Sequence, residues 1–89
     1  MDFAQLRRFI AVVEGGSLGK AAEHLSLSQP GLSKSIHQLE AHFGEPLFYR
    51  GTRGVTVTEL GKAVYHRAKR VLAEWQQLEN ERAAISSGF

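Results

Sequence analysis

Apolar side chains recur every three or four residues in two neighbouring stretches of the chain, which places each set on one face of a helix. The first set is Leu18, Ala21, Ala22 and Leu25, and the second is Leu32, Ile36, Leu39 and Phe43. Ser28 and Pro30 suit the start of the second helix, as N-cap and first-turn residue, and Gly44 suits its end. The pattern predicts two helices joined by a tight turn.

The opposite face of the second helix is small, polar and positively charged, and it carries no acidic residue. At about 100° per residue, the side chains on this face are Pro30, Ser33, Lys34, His37 and Ala41. A helix with a buried stripe behind it and such a front can enter the major groove of DNA, which is about 12 Å wide. The pattern favours a helix-turn-helix. The alternative is an ordinary solvent-exposed helix of a small bundle.

The chain opens with another predicted helix. Asp2 and Gln5 have the spacing of a capping box, and Gly15-Gly16 ends the pattern. Between these ends, one broad apolar face is formed by Phe3, Leu6, Phe9, Ile10 and Val13. We expect this face to close the hydrophobic core behind the helix pair.

Two short β-prone stretches follow Gly44, at residues 47–49 and 55–57. Arg50 and Arg53 lie between them in a glycine-containing turn, so the region predicts a hairpin. Glycine lets a backbone come close to DNA, and arginine can pair with phosphate or enter a minor groove. A plain surface turn is the alternative. With the three helices, this hairpin predicts a mainly α winged helix-turn-helix.

A long helix is predicted from the N-cap Thr58 to about Ser86, and it spans roughly 40 Å at 1.5 Å per residue. That is more than a core of this size can cover. Its first turns, at Leu60, Ala63 and Tyr65, are expected to pack on the winged domain. A heptad-like seam with steps of four and three runs along it through Val64, Ala68, Val71, Trp75, Leu78 and Ile85, with Arg82 filling the one gap in the apolar series. The seam predicts a dimerisation helix, with packing wholly inside the monomer as the alternative.

Charge and composition narrow the function. The chain has 89 residues, which predicts one domain with a small core. Residues 1–70 hold ten Lys or Arg against six Asp or Glu, and residues 71–89 hold one against three, so the body favours a polyanionic partner. Without cysteine, disulfides and a Cys-ligated zinc site are excluded. No apolar run approaches the roughly 18 residues of a membrane span, and the N-terminus is not a secretory signal.

Two other function classes are weaker. A protein-interaction module would use the helix pair and the seam without DNA, and the basic wing argues against it. A small hydrolase would need a nucleophile, a base and an orienting acid around a pocket. The sequence offers only scattered histidines without metal-ligand spacing, namely His24, His37, His42 and His66. We therefore expect no enzymatic activity.

The whole chain closely resembles the N-terminal DNA-binding region of LysR-type transcriptional regulators of bacteria. The most specific feature is the run Ser28-Gln29-Pro30 with Leu32-Ser33, combined with Leu47-Phe48 and the wing arginines. The other matching residues are Leu6, Phe9, Val13, Gly16, Ser17, Leu18, Ala21, Ala22, Leu27, Ile36, Leu39, Glu40, Arg50, Arg53, Thr58, Glu59 and Gly61. The resemblance implies a winged helix-turn-helix, a long linker helix that pairs two chains, and a partly palindromic promoter site.

The resemblance also implies which residues contact DNA. They are Ser28, Gln29, Pro30, Ser33, Lys34 and His37 in the second helix of the pair, with Arg50 and Arg53 in the wing. We expect Gln29 and Ser33 to read base edges, with Gln29 preferring adenine. Phosphate contacts are expected from Ser28, Lys34, Tyr49 and Arg50, and Arg53 is expected in the minor groove.

Four positions depart from the usual family pattern. Lys34 and His37 stand where arginine is common, so bidentate guanine reading is weakened and contact at His37 is open to pH dependence. Gly31 stands where a side chain is usual, which removes a possible contact and is expected to loosen the helix start. Leu60 stands where alanine is frequent, which should alter local packing rather than function.

The family implies a division at residue 57. Residues 1–57 are expected to be the DNA-binding domain, and residues 58–89 the linker and dimerisation helix leading to a larger effector-binding domain that is absent from this sequence. No cofactor is expected in this chain, because the small-molecule effector would bind that domain. We expect a bacterial, cytoplasmic, nucleoid-associated homodimer, with a higher oligomer possible for the full-length protein. The operon, the effector and the direction of regulation are not encoded here.

Overall fold

The computed structural model describes residues 1–49 and 54–88, which form four helices and a two-stranded sheet. The elements in chain order are α1 (Phe3–Gly15), α2 (Leu18–Leu25), α3 (Gln29–Phe43), β1 (Phe48–Tyr49), β2 (Thr56–Val57) and α4 (Glu59–Ser87). This order is that of a winged helix-turn-helix followed by a long helix. The predicted fold class is confirmed.

The helix ends form where the sequence predicts them. Asp2 and Gln5 make a capping box at the start of α1, and the Ser17 side chain accepts a hydrogen bond from the Lys20 backbone N–H at the start of α2. Helices α1 and α3 are followed by Gly16 and Gly44, whose φ angles are 81° and 75°. Such left-handed backbone costs a glycine little, so it can terminate both helices sharply.

The hydrophobic core lies between α1, α2, α3 and the first part of α4. Its buried apolar side chains are Leu6, Phe9, Val12, Ala21, Ala22, Leu32, Ile36, Leu39, Leu47, Val64 and Ala68. The predicted apolar face of α1 did not include Val12, which is fully buried. A polar contact also joins α1 to α3, because the Arg8 guanidinium donates to the buried Ser35 hydroxyl at 2.8 Å.

The wing is a short antiparallel hairpin. Phe48 pairs with Val57, and Tyr49 pairs with Thr56. The hairpin is fastened to the body just before β2, since the Val55 N–H donates to the Gly16 carbonyl at 3.3 Å. The predicted tip with Arg50 and Arg53 lies outside the described residues. The hairpin itself is confirmed, and its strands are shorter than the predicted ranges.

The first turns of α4 belong to the core. Gly61 is buried, and Leu60 and Tyr65 pack against the core as predicted, but Ala63 is exposed, so its predicted packing on the winged domain is wrong. Val64 and Ala68 were expected in a dimer seam. Both are instead buried in the chain's own core, because the seam residues nearest the body turn inward. Val64 and Ala68 therefore expose little side-chain surface that a second chain could contact.

Farther along, α4 leaves the body. The chain extends 55 Å along its longest axis and only 26 Å and 19 Å along the others. Four apolar side chains remain substantially exposed on this part of the helix: Val71 (46%), Trp75 (39%), Leu78 (54%) and Ile85 (79%). The Trp75 ring also makes an edge contact with Phe3 of α1, with ring centroids 5.3 Å apart. The Trp75 side chain therefore packs partly against its own domain and remains partly exposed to solvent.

Candidate nucleic-acid interface

The N-terminal turn of α3 stands at the surface. The Ser28 hydroxyl caps it by accepting from the Gly31 backbone N–H at 3.0 Å. Ser28, Gln29, Pro30 and Gly31 are all exposed. A Cβ at position 31 would lie 2.9 Å from the Ser28 hydroxyl oxygen, so glycine leaves room for the cap. The cap bond is formed with glycine at position 31.

One face of α3 is presented to solvent along its first half. Lys34 and His37 are exposed and Ser33 is half-buried, while Leu32 and Ile36 are buried. Residues 28–37 contain no acid, so the exposed face carries the positive charge of Lys34 without a neighbouring acid in sequence. This is the steric and electrostatic form that a major groove accepts.

Gln29 lies beside the first turn of α2. A Cβ added at Gly19 would sit 3.7 Å from the Gln29 Oε1 atom, an ordinary van der Waals separation. The Gln29 amide is exposed and has both donors and an acceptor, which is what bidentate pairing with adenine requires. The Gln29 amide thus lies at the surface, beside the N-terminal turns of α2 and α3.

The wing continues the same surface. Ser33 and His37 of α3 line a cavity of about 150 Å³ together with Tyr49 of β1 and Val55. The Tyr49 side chain is largely exposed, with its hydroxyl available to a partner. The described structure therefore brings Ser33, His37 and Tyr49 to one cavity. It leaves Ser28, Gln29, Pro30 and Lys34 exposed at the N-cap and on the first two turns of α3. Arg50 and Arg53 lie outside the described residues.

Glu40 connects α3, the helix with the exposed face, to the wing. The helical periodicity did not predict this role. Its Oε2 atom accepts from the backbone N–H of Leu47 at 2.7 Å and from that of Phe48 at 3.4 Å. The backbone carbonyl of Leu47 accepts a hydrogen bond from the Thr58 N–H at 3.0 Å. The segment that enters β1 is thus held between α3 and α4. The sequence signal for this role was one acidic residue, Glu40, placed one helical turn before Gly44 and the Pro46 that follows it.

A family model for bacterial regulatory helix-turn-helix proteins of the lysR family matches residues 3–62. The chain belongs to the LysR family. The match includes the helix pair, the wing and the first turn of α4, so the resemblance that the sequence motifs indicated is confirmed.

Named relatives agree with the family model. The HTH-type transcriptional regulator TfdS of Cupriavidus pinatubonensis is 42% identical over 88 residues, covering 99% of this chain. The nitrogen assimilation regulatory protein nac of Escherichia coli is 39% identical over 79 residues, covering 89% of this chain. The chain spans 30% of the TfdS length and 26% of the nac length.

A solved structure matches both the helices and the wing. The crystal structure of the BenM DNA-binding domain with catB site 1 DNA is 40% identical to this chain and superposes with a TM-score of 0.95. The similarity covers 99% of this chain and 95% of that one, so it includes α4 as well as the helix-turn-helix. Such an overlap places the side chains of α3 on the same framework as in that protein.

Two properties of the described residues concern membrane-spanning helices and metal-binding groups. Over residues 1–49 and 54–88, no helix combines the length and the apolar character needed to cross a membrane. Within these same ranges, no three His, Cys, Asp or Glu side chains are grouped so as to hold a metal ion.

Proposed function

We propose that this chain binds double-stranded promoter DNA, with α3 in the major groove and the wing on the backbone and in the adjacent minor groove. The observation that carries the proposal is the exposed face on the first half of α3, where residues 28–37 hold no acid and Leu32 and Ile36 are buried behind it. The proposal is supported by the similarity to the BenM DNA-binding domain, whose structure was determined with DNA. It includes no catalytic step.

The roles of the residues follow from their chemistry. Gln29 and Ser33 read base edges, because they present hydrogen-bonding groups on the face that enters the groove. Ser28, Lys34, Tyr49 and Arg50 contact phosphates and set the register. Pro30 and His37 line the interface, and Arg53 enters the minor groove beside the wing.

The partner in binding is a second copy of the same chain, joined through α4. The exposed apolar side chains of Val71, Trp75, Leu78 and Ile85 support this proposal, because such a surface on a projecting helix is stabilised by burial against another helix. Residues 1–57 then carry the DNA contacts, and residues 58–89 the dimer contacts. In the cytoplasm of a bacterium, a further domain of the full-length protein would bind the small-molecule effector.

Fluorescence anisotropy across a salt series tests DNA binding. We expect tight binding to a promoter duplex with an interrupted palindrome, and an affinity that falls steeply as salt rises because phosphate contacts release counterions. A scrambled duplex of the same length is the control. Equal affinity for both duplexes would contradict sequence reading, and no binding to either at low salt would favour a protein-interaction module.

Gln29→Ala is expected to weaken binding to the specific duplex by about 1–3 kcal/mol and to relax the preference for one base pair. The reason is that the bidentate amide contact is lost while the phosphate contacts remain. The measurement is anisotropy on the specific duplex and on duplexes changed at each position. Gln38→Ala is the control, since it removes the same side chain from α3 at an exposed position whose Oε1 accepts from Gln5 Nε2 of α1. An equal loss on specific and scrambled DNA would argue against base reading by Gln29.

A further inference from the structure

Three polar side chains join the end of α1 to α4 on the surface away from α3. The Tyr65 hydroxyl donates to Glu14 Oε2 at 2.7 Å, and the Lys69 ammonium donates to the same oxygen at 3.2 Å. Lys69 also lies 5.3 Å from the centroid of the Tyr65 ring. The hydrogen bond from Tyr65, and then that from Lys69, hold the pKa of Glu14 below its usual value. We name these residues the α1–α4 cluster.

A second contact joins the same two helices farther along. Phe3, at the start of α1, meets Trp75 of α4 edge to face with ring planes 70° apart. The α1–α4 cluster lies at the other end of α1, eleven residues or roughly 16 Å away at 1.5 Å per residue. Val64 and Ala68 of α4 are buried in the core as well, so core packing and these two contacts together set the direction of α4. Loss of one contact widens the range of directions that α4 can take.

The direction of α4 has a consequence for DNA binding. If two chains pair through α4, the angle at which α4 leaves each body sets the distance and the rotation between the two α3 helices. Half-sites are matched to that geometry, because one base pair of spacing also rotates the site by roughly a tenth of a helical turn. An arm that pivots would tolerate several spacings, and a fixed arm would select one.

We propose that the α1–α4 cluster determines which half-site spacing the dimer selects, with Glu14, Tyr65 and Lys69 acting as positioning residues that do not touch DNA. The proposal rests on the proposed function, since it requires a dimer that reads two half-sites. Nothing in it requires Glu14, Tyr65 or Lys69 to change the affinity of one body for one half-site.

The test uses Tyr65→Phe and Glu14→Gln, which retain the ring and the shape of each side chain. Anisotropy is measured on duplexes whose spacer changes in steps of one base pair, and on a duplex with one half-site. We expect the preference for the best spacer to fall by about two- to tenfold, the effect of one lost hydrogen bond, with single half-site affinity unchanged. The control is Asn80→Ala, which removes the exposed Gln76–Asn80 hydrogen bond within α4 and should leave the spacer preference intact.

A second measurement follows the arm without DNA. The chain has no cysteine, so spin labels can be placed only where cysteine is introduced, by Glu23→Cys on α2 and Ala84→Cys near the end of α4. Labelled chains are diluted with an excess of unlabelled chain, so that each distance is measured within one chain. We expect one narrow distance distribution, and a broader one after Tyr65→Phe.

Each outcome of the two measurements has a distinct meaning. An unchanged spacer preference in both variants would overturn the proposal. A lower unfolding midpoint in the same variants would show that the cluster only stabilises the fold. An unchanged distance distribution after Tyr65→Phe would also overturn it. If the unmodified chain binds no duplex, the proposed function fails and the spacing role fails with it. The label distances then still show whether the cluster holds α4.

Discussion

Leu78→Asp is expected to convert the dimer into monomers and to weaken binding to a palindromic duplex by about a hundredfold or more, because two linked half-site contacts become independent. Leu78 is 54% exposed and lies about one helical turn beyond Trp75. Its substitution therefore removes no buried side chain from the body. In a dimer, the new carboxylate would be buried without a partner in an apolar seam, which is costly.

Sedimentation equilibrium gives the mass of the Leu78→Asp chain, and anisotropy gives its affinity for the palindrome and for a single half-site. The single half-site affinity should be unchanged, because α3 and the wing are untouched. Gln77→Asp is the matched control, since it introduces the same charge on the opposite, exposed side of α4. A dimer that persists in the Leu78→Asp chain would argue against pairing through this face.

Leu78 is a cleaner probe of the seam than its neighbours. Heptad spacing correctly places Val64, Ala68 and Trp75 on one side of α4, but periodicity cannot tell which body covers that side. In the structure Val64 and Ala68 are buried in the chain's own core, and Trp75 contacts Phe3. A charge at any of these three positions would disturb the fold as well as a dimer, and the two effects would be confused.

Local signals explain why the helices and their ends were predictable. The capping residues Asp2, Ser17, Ser28 and Thr58 act within three residues of themselves, so sequence spacing alone specifies their bonds. The buried stripe of α3 is likewise a matter of 3.6-residue periodicity. The same rule leaves Val12 ambiguous, because it lies at the edge of the predicted face of α1 and its burial depends on what packs against it.

Contacts between distant parts of the chain were not predictable in the same way. Tyr65 and Glu14 are 51 residues apart in sequence, and no local pattern links them. Glu40 reaches only seven residues ahead to Leu47, but the bond depends on how the turn between them folds. The candidate recognition face was predictable because it is one face of one helix. The placement of Tyr49 beside His37 requires the folded wing.

Gly61→Ala is expected to destabilise the fold by about 1–3 kcal/mol through overpacking, although alanine is the better helix former by about 1 kcal/mol. A Cβ at this position would overlap the Leu47 carbonyl oxygen and the Val57 side chain. The carbonyl cannot move aside easily, because it accepts the Thr58 N–H and its residue is fully buried. The close approach of α4 to the wing therefore depends on glycine.

Thermal unfolding measures this effect, and a loss of that size should lower the midpoint by about 4–24 °C in a domain of this length. Gly19→Ala is the matched control: it is another helical glycine, exposed, with only Gln29 Oε1 near the added Cβ, at 3.7 Å. Its midpoint should stay equal or rise, because alanine restricts the unfolded chain. Equal midpoints for both variants would mean that α4 can shift away from Leu47. In that case the start of α4 would not be the rigid junction that holds the wing and the arm in one orientation.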